Sequence, residues 1–303
     1  MKKNNKSQIN NIIKIFKNSK KKTCFFLGNT SKLEQNNFYI SEQRENSKYL
    51  YFVGIFFNNS VVKKIVKLID GKVDLILVDI EKKVISSNKG EIINIEKVAK
   101  QNVNKSRLFY YKGNDLTVQA AETFLNNFYL KDIRGLGGKK ILMLGCGNIG
   151  TKLGLKLVES GANVFLYRRN IKKLNKIINT INIILPNGTN AKCKKFDFYN
   201  KKTFYEFDII IGATDGKQVI NEKIAKKINP KCLILDIGKG IFTSKGMILA
   251  IKYKMNIFRL DVTPSYNAYL ENFNTTIKLS KKFSKNYRYF KNFKLIQRGV
   301  LGE

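Results

Sequence analysis

Residues Lys139 to Leu144 form a short apolar run that leads directly into Gly145-Cys146-Gly147-Asn148-Ile149-Gly150, and a helical period follows. Strand, glycine turn and helix in that order admit few folds, because G-x-G-x-x-G between those elements answers three separate steric demands. Gly145 permits a tight turn, Gly147 lets a pyrophosphate approach the backbone, and Gly150 lets helix and strand pack closely. The first amides of the helix, at Asn148 and Ile149, then offer free N–H groups and a partial positive charge to a phosphate. The expected fold is α/β, a doubly wound parallel sheet of the dinucleotide-binding kind.

The flanking residues support that reading. Leu153, Leu155, Leu157 and Val158 repeat at helical spacing, Gly154 sits at a close-packing position, and Ser160-Gly161 ends the helix. A second apolar run, Ala162 to Tyr167, completes one βαβ unit. Its tip distinguishes the two nicotinamide dinucleotides, since a carboxylate there bonds a free ribose 2′-hydroxyl and repels a 2′-phosphate. The tip reads Tyr167-Arg168-Arg169-Asn170-Ile171-Lys172-Lys173, with four cations and no acid. Arginine is scarce beside lysine in this chain, so the adjacent Arg168 and Arg169, with Lys172 beyond them, predict NADP rather than NAD.

Composition narrows the chemistry further. The chain has 303 residues, 57 Lys and Arg against 22 Asp and Glu, and no histidine, which excludes a Ser-His-Asp triad, a His base and His metal ligands. The lysines are spread along the whole chain beside abundant Asn and Ile, the pattern of a codon bias toward A and T. No aromatic-interleaved basic stripe suggests nucleic acid as a partner, and the positive field favours small anionic ligands. Cys24, Cys146, Cys193 and Cys232 are scattered without a C-x-x-C pair, as reduced core thiols rather than a zinc site or disulfide frame, so no metal is expected. No apolar run approaches a membrane span and the N-terminus lacks a signal-peptide pattern, so the expected location is the cytoplasm.

Before the glycine turn, Ile9, Ile12, Ile13 and Phe16 predict a basic amphipathic helix over Lys6 to Lys20, docked on its own domain or laid on a membrane surface. Strand-like runs at Thr23–Gly28, Tyr49–Ile55, Val73–Val78 and Arg107–Tyr111 alternate with helical stretches at Ser60–Ile69 and Ile92–Val103. Residues 1–112 are therefore expected to form a smaller α/β domain for substrate or docking. A bridging helix, about Leu116 to Tyr129 within 113–134, follows, with Asn114 or Asp115 placed to cap it. The dinucleotide domain is expected over 135–265, with six strands in all, and a closing helix from about Tyr266 to Phe283 crosses back toward the first domain. No period places Asn286 to Glu303 within the remaining segment, 266–303.

Two further loops end predicted strands where ligands collect in such sheets: Gly212-Ala213-Thr214-Asp215-Gly216, where the ribose is expected, and Asp236-Ile237-Gly238-Lys239-Gly240, where the nicotinamide is expected. Together with Lys112-Gly113-Asn114-Asp115-Leu116-Thr117 before the bridging helix, these segments resemble the group of shikimate dehydrogenase, methylenetetrahydrofolate dehydrogenase and glutamyl-tRNA reductase, and the proteins labelled predicted amino-acid dehydrogenases. The resemblance covers about Lys112 to Val262. It implies cofactor contacts at Arg168 and Lys172, beside those that the strand-end position gives to Ala213, Thr214 and Gly238, and it matches Asp115, loosely, to an aspartate at the catalytic site. The partner lysine of the shikimate enzymes has no matching segment in this chain.

The chemistry expected is hydride transfer between NADP(H) and a small anionic carbonyl, imine or alcohol held between two domains. Lacking histidine, the proton relay falls to a lysine beside Asp115, with Lys112 and Lys239 the candidates; Asp115 itself reads equally as a helix cap. Related two-domain enzymes occur as monomers and as homodimers. Two other classes stay open: an S-adenosylmethionine-dependent methyltransferase, whose first motif Leu144 to Gly147 resembles, and a sensor that binds the dinucleotide without turnover.

Overall fold

The uninterrupted apolar runs of the first third of the chain become strands covered on both faces. A computed structural model describes residues 3–29, 38–81, 93–198, 204–214, 216–238, 240–283, 287–296 and 299–301. Helix α1 (Lys3–Lys17) precedes β1 (Lys22–Gly28), β2 (Phe38–Ile40), β3 (Arg44–Glu45), β4 (Tyr49–Phe56), α2 (Asn59–Ile69), β5 (Leu75–Asp79), α3 (Ile95–Asn102) and β6 (Arg107–Tyr111). The sheet order is β2-β4-β1-β5-β6; β4, β1, β5 and β6 run parallel, while β2 and β3 pair antiparallel with β4.

The two-residue period of β1 divides its side chains between two cores. Phe25 and Leu27 pack under α1, α2 and α3, while Cys24 and Phe26 face the opposite layer. On α1, Ile9, Ile12, Ile13 and Phe16 are all buried in the first of these cores. The helix is therefore docked on its own sheet, and the membrane-surface alternative has no apolar face left to use. Its limits lie three residues earlier than the spacing predicts, because the chain turns at Asn18 to enter β1.

The second sheet uses helix α4 (Gly113–Phe128), β7 (Lys140–Leu144), α5 (Asn148–Glu159), β8 (Asn163–Tyr167), α6 (Ile171–Ile184), β9 (Cys193–Lys195), β10 (Ile209–Gly212), α7 (Glu222–Ala225), β11 (Leu233–Asp236), α8 (Ser244–Lys252) and β12 (Asn256–Arg259). Its order, β12-β11-β10-β7-β8-β9, is parallel throughout. Counted from its own first strand this is 3-2-1-4-5-6, the doubly wound Rossmann order. Strands β7 and β8 each begin one residue later than the apolar runs that predict them and end where those runs end, at Leu144 and Tyr167.

Helix α9 (Thr263–Phe283) returns to the first sheet, as its sequence predicts. Tyr266 and Leu270 join Cys24, Phe26, Tyr49 and Tyr51 in one core, and the Tyr51 hydroxyl donates to Asn267 Oδ1 at 2.9 Å. Beyond α9, the segment that no period could place forms an antiparallel meander of β13 (Tyr287–Phe290), β14 (Phe293–Ile296) and β15 (Gly299–Leu301).

The predicted capping of α4 is corrected. The helix begins at Gly113, so Asn114 and Asp115 lie inside its first turn and neither caps it. The cap comes from the far end of β5: Gly113 N–H donates to Asp79 Oδ1 at 3.2 Å and Asn114 N–H to Glu81 Oε2 at 2.8 Å. Carboxylates at a helix N-terminus satisfy orphan donors and suit the helix dipole, whichever part of the chain supplies them.

Asp70, at the end of α2, makes a second long-range tie by accepting the amides of Asn104, Lys105 and Ser106 at 3.0, 3.0 and 2.8 Å. Partial burial pushes its carboxyl up, but the three amides and the Lys105 charge outweigh that, and it titrates below the usual carboxylate range. A depressed folded pKa adds stability above the unfolded value and loses it as pH falls through the folded one. Asp70→Asn should therefore melt below the wild type at pH 7, and the gap should close as pH falls below about 4, the ordinary carboxylate value. A gap that ignores pH would show that the charge is not what ties α2 to β6. All four cysteines are buried and free. Burial pushes the thiols of Cys146, Cys193 and Cys232 up to about 12 and Cys24 well above its ordinary value. A thiol reagent at pH 8 should leave the native protein unlabelled and modify all four only in denaturant.

Candidate functional site

The carboxyl edge of the second sheet gathers the three glycine-bearing loops. Gly145, just past β7, has φ +105°, a left-handed conformation, and a Cβ there would lie 2.4 Å from the Ala213 carbonyl oxygen. A Cβ on Gly150 would lie 2.1 Å from the Gly145 carbonyl oxygen, so α5 can start this close to β7 only without one. Gly147 differs from both: a Cβ there would meet nothing within 4 Å. It stands at the N-cap of α5 with no side-chain cap bond, and Gly147 and Asn148 are exposed while Ile149 is half-buried. The result is an open cradle of backbone amides at a helix N-terminus, the geometry that accepts a pyrophosphate.

Strand pairing aligns the neighbouring loops beside that cradle. Ala213 N–H donates to Leu144 O at 2.8 Å, and Ile237 and Gly238 N–H donate to Gly212 O at 2.8 and 2.9 Å. Thr214 Oγ1 donates to Lys217 O at 2.7 Å, closing the turn after β10. The Asp236 carboxylate accepts the amides of Gly238 at 3.1 Å and Gly240 at 2.6 Å, folding the loop after β11 back on itself. Asp215 and Lys239 lie outside the described residues.

At the tip of β8, Arg168 bends toward the glycine turn, and its Nη1 donates to the Cys146 carbonyl. That places a guanidinium against the cradle itself. Arg169 and Lys172 are exposed beyond it, and Asn170 caps α6 by accepting Lys173 N–H at 2.9 Å. Cys146 packs inward, 1% exposed, with its thiol pushed up by burial against an opposing effect of Arg168. It serves as packing rather than as a nucleophile.

Asp115 and Asn114 face this edge from α4. Asn114 Nδ2 donates to Asn148 Oδ1 at 3.3 Å, which brings the start of α4 into contact with the glycine turn. Asp115 pairs with Lys152 of α5, whose Nζ also lies 3.9 Å from Glu81 Oε1. Lys112 is exposed at the position preceding α4. The cation that meets Asp115 is therefore one that sequence reasoning missed, as it missed Asp79 and Glu81. A signal did exist for Lys152: it stands four residues after Asn148, on the same face of α5. Nothing local marks Asp79 and Glu81, which reach α4 across 34 and 33 residues of chain. Among the described residues, no cluster of three or more His, Cys, Asp or Glu could hold a metal ion, and no helix is long and apolar enough to cross a membrane.

No protein-family model matches the chain. It is similar to a curated glycerol-3-phosphate dehydrogenase [NAD(P)+] of Clostridium botulinum, 30% identical over 127 residues, which take in 39% of this chain and 37% of that protein. The match thus spans little more than a third of the relative's length. Among solved structures, the chain is similar to a shikimate dehydrogenase in complex with NADP+, 16% identical, with 80% of this chain and 85% of that one covered at a TM-score of 0.44. It is also similar to a dipicolinate synthase polypeptide of Bacillus halodurans, 14% identical, covering 81% of this chain and 91% of that one at a TM-score of 0.41.

Proposed function

We propose that this chain is an oxidoreductase that moves hydride between NADP(H) and a small anionic carbonyl, imine or alcohol. The substrate would sit between a first domain of residues 1–112 and a dinucleotide domain of residues 135–265, joined by the bridging helix within 113–134. The observation that carries the reading is the open backbone cradle over Gly147 at the head of α5, beside a β8 tip that has arginines and no acid. Gly145, Gly147, Asn148, Ile149 and Gly150 would hold the pyrophosphate. Arg168, Arg169 and Lys172 would meet the 2′-phosphate as charge-assisted donors, which is the basis for NADP over NAD. Ala213, Thr214 and Gly238 would line the ribose and nicotinamide side. The cofactor, when bound, supplies the hydride.

The chain's own share is orientation and a proton. With no histidine, that proton would pass between a lysine, Lys112 or Lys239, and the substrate oxygen or nitrogen, with Asp115 positioning the donor. Four buried thiols without a disulfide fit a reducing, cytoplasmic setting.

Two glycine variants separate binding from folding. Gly147→Ala has ordinary φ and open space, so its melting temperature should match the wild type while calorimetric affinity for NADPH falls at least tenfold. Gly150→Ala should instead lose thermal stability, because its Cβ meets a carbonyl oxygen. Full NADPH affinity in Gly147→Ala would mean that no pyrophosphate lies there. Arg168→Asp should weaken NADPH by on the order of 2 kcal/mol, roughly 30-fold, and NADH far less. Equal losses for both would leave the 2′-phosphate unread. Saturable binding of S-adenosylmethionine with none of NADPH would favour the methyltransferase, and NADPH binding without oxidation across a panel of keto acids and imines would favour a sensor.

A further inference from the structure

The face of α5 that meets α4 carries Asn148, Lys152 and Lys156 at four-residue intervals, a stripe along one side of the helix. Each makes a polar contact with α4. Asn148 accepts from Asn114, Lys152 pairs with Asp115, and Lys156 Nζ lies 2.8 Å from Glu122 Oε2. Lys152 alone reaches further, to Glu81 beyond β5, whose other carboxylate oxygen already accepts Asn114 N–H. The Glu81 side chain is only 15% exposed, against 39% for Lys152 and 46% for Asp115. One ammonium thus stands where three parts of the chain meet: the carboxyl edge of the first sheet, the start of the bridging helix, and the helix whose N-terminus forms the cradle.

We propose that Lys152 is a positioning residue that sets the carboxyl edge of the first sheet at a fixed place relative to the glycine turn, with Asn148 as a second handle at the turn itself. Two carboxylates from separate elements, Glu81 and Asp115, approach the same ammonium. Glu81 caps Asn114, and its own N–H shares Asp79 Oδ1 with Gly113, so both halves of the helix cap depend on this segment staying where Lys152 holds it. Occupation of the cradle orders Asn148 and Lys152 on one helix turn, and through Asn114, Asp115 and Glu81 that order reaches the substrate side. Placement of this kind matters because a shift of about 1 Å between reacting groups can cost on the order of a hundredfold in rate. The half of the proposal that concerns the occupied cradle rests on the dinucleotide reading; the half that concerns the free protein does not.

Hydrogen exchange read by mass spectrometry on the full chain tests both halves. In the free protein, Lys152→Met should speed exchange of the Gly113 and Asn114 amides about tenfold, with Lys152→Arg near the wild type and Lys156→Met without effect there. Raising salt from about 0.05 to 1 M should speed the same amides in the wild type, because a partly exposed ion pair is screened; this measurement needs no variant to fold. Saturating NADPH should then protect those amides in the wild type and in Lys152→Arg. It should fail to protect them in Lys152→Met, although that variant keeps its NADPH affinity within about threefold. Unchanged exchange in Lys152→Met and in high salt would overturn the positioning role. Wild type that binds NADPH with no change at Gly113 and Asn114 would overturn the coupling while the dinucleotide reading stands. Absence of NADPH binding would sink that reading and the coupling together, leaving the free-protein arm to decide the positioning role.

Discussion

The close approach of Gly150 to the Gly145 carbonyl oxygen, 2.1 Å from where a Cβ would be, is the contact on which the carboxyl edge of the second sheet is built. It lets α5 begin directly over the end of β7, so that the first amides of the helix point into open space. Gly145 makes the matching approach to the loop after β10, and Arg168 closes the third side from β8. Backbone and one guanidinium therefore shape the cradle, while the apolar side chains beneath it belong to the core.

A second constraint is electrostatic and runs against the composition. In a chain with a formal net charge of +35, carboxylates are scarce, yet Asp79, Glu81 and Asp115 converge at the start of α4. The backbone amides of Gly113 and Asn114 and the Lys152 ammonium receive them. The surplus of lysine elsewhere contributes a general positive field, and the few acids define a place.

Much of the fold was legible because periodicity is local. The apolar face of α1, the runs that become β1, β4 and β5, the glycine turn and helix α9 can each be read from a window of ten to twenty residues. The cap of α4 was misread for the same reason: Asn114 and Asp115 are good capping residues in the right place, but more distant carboxylates satisfy the helix first. The role of Lys152 was hidden by abundance, since one lysine among so many carries no mark of its own. The terminal meander has side-chain alternation too weak to distinguish three short strands from irregular chain, and only their mutual hydrogen bonds define them.

By itself the sequence determined the class of sheet, the glycine turn that opens α5, the acid-free tip of β8 and the exclusion of histidine chemistry. Each of these follows from residue type at fixed short spacing, where sterics and charge act on neighbours. Tertiary structure alone decided which cation faces Asp115, which carboxylates begin α4, and that Arg168 leans on the glycine turn. Those pairings join residues tens of positions apart. Their partners are chosen by which strand ends and helix faces the packed sheets bring within hydrogen-bonding distance, and no local pattern encodes that choice.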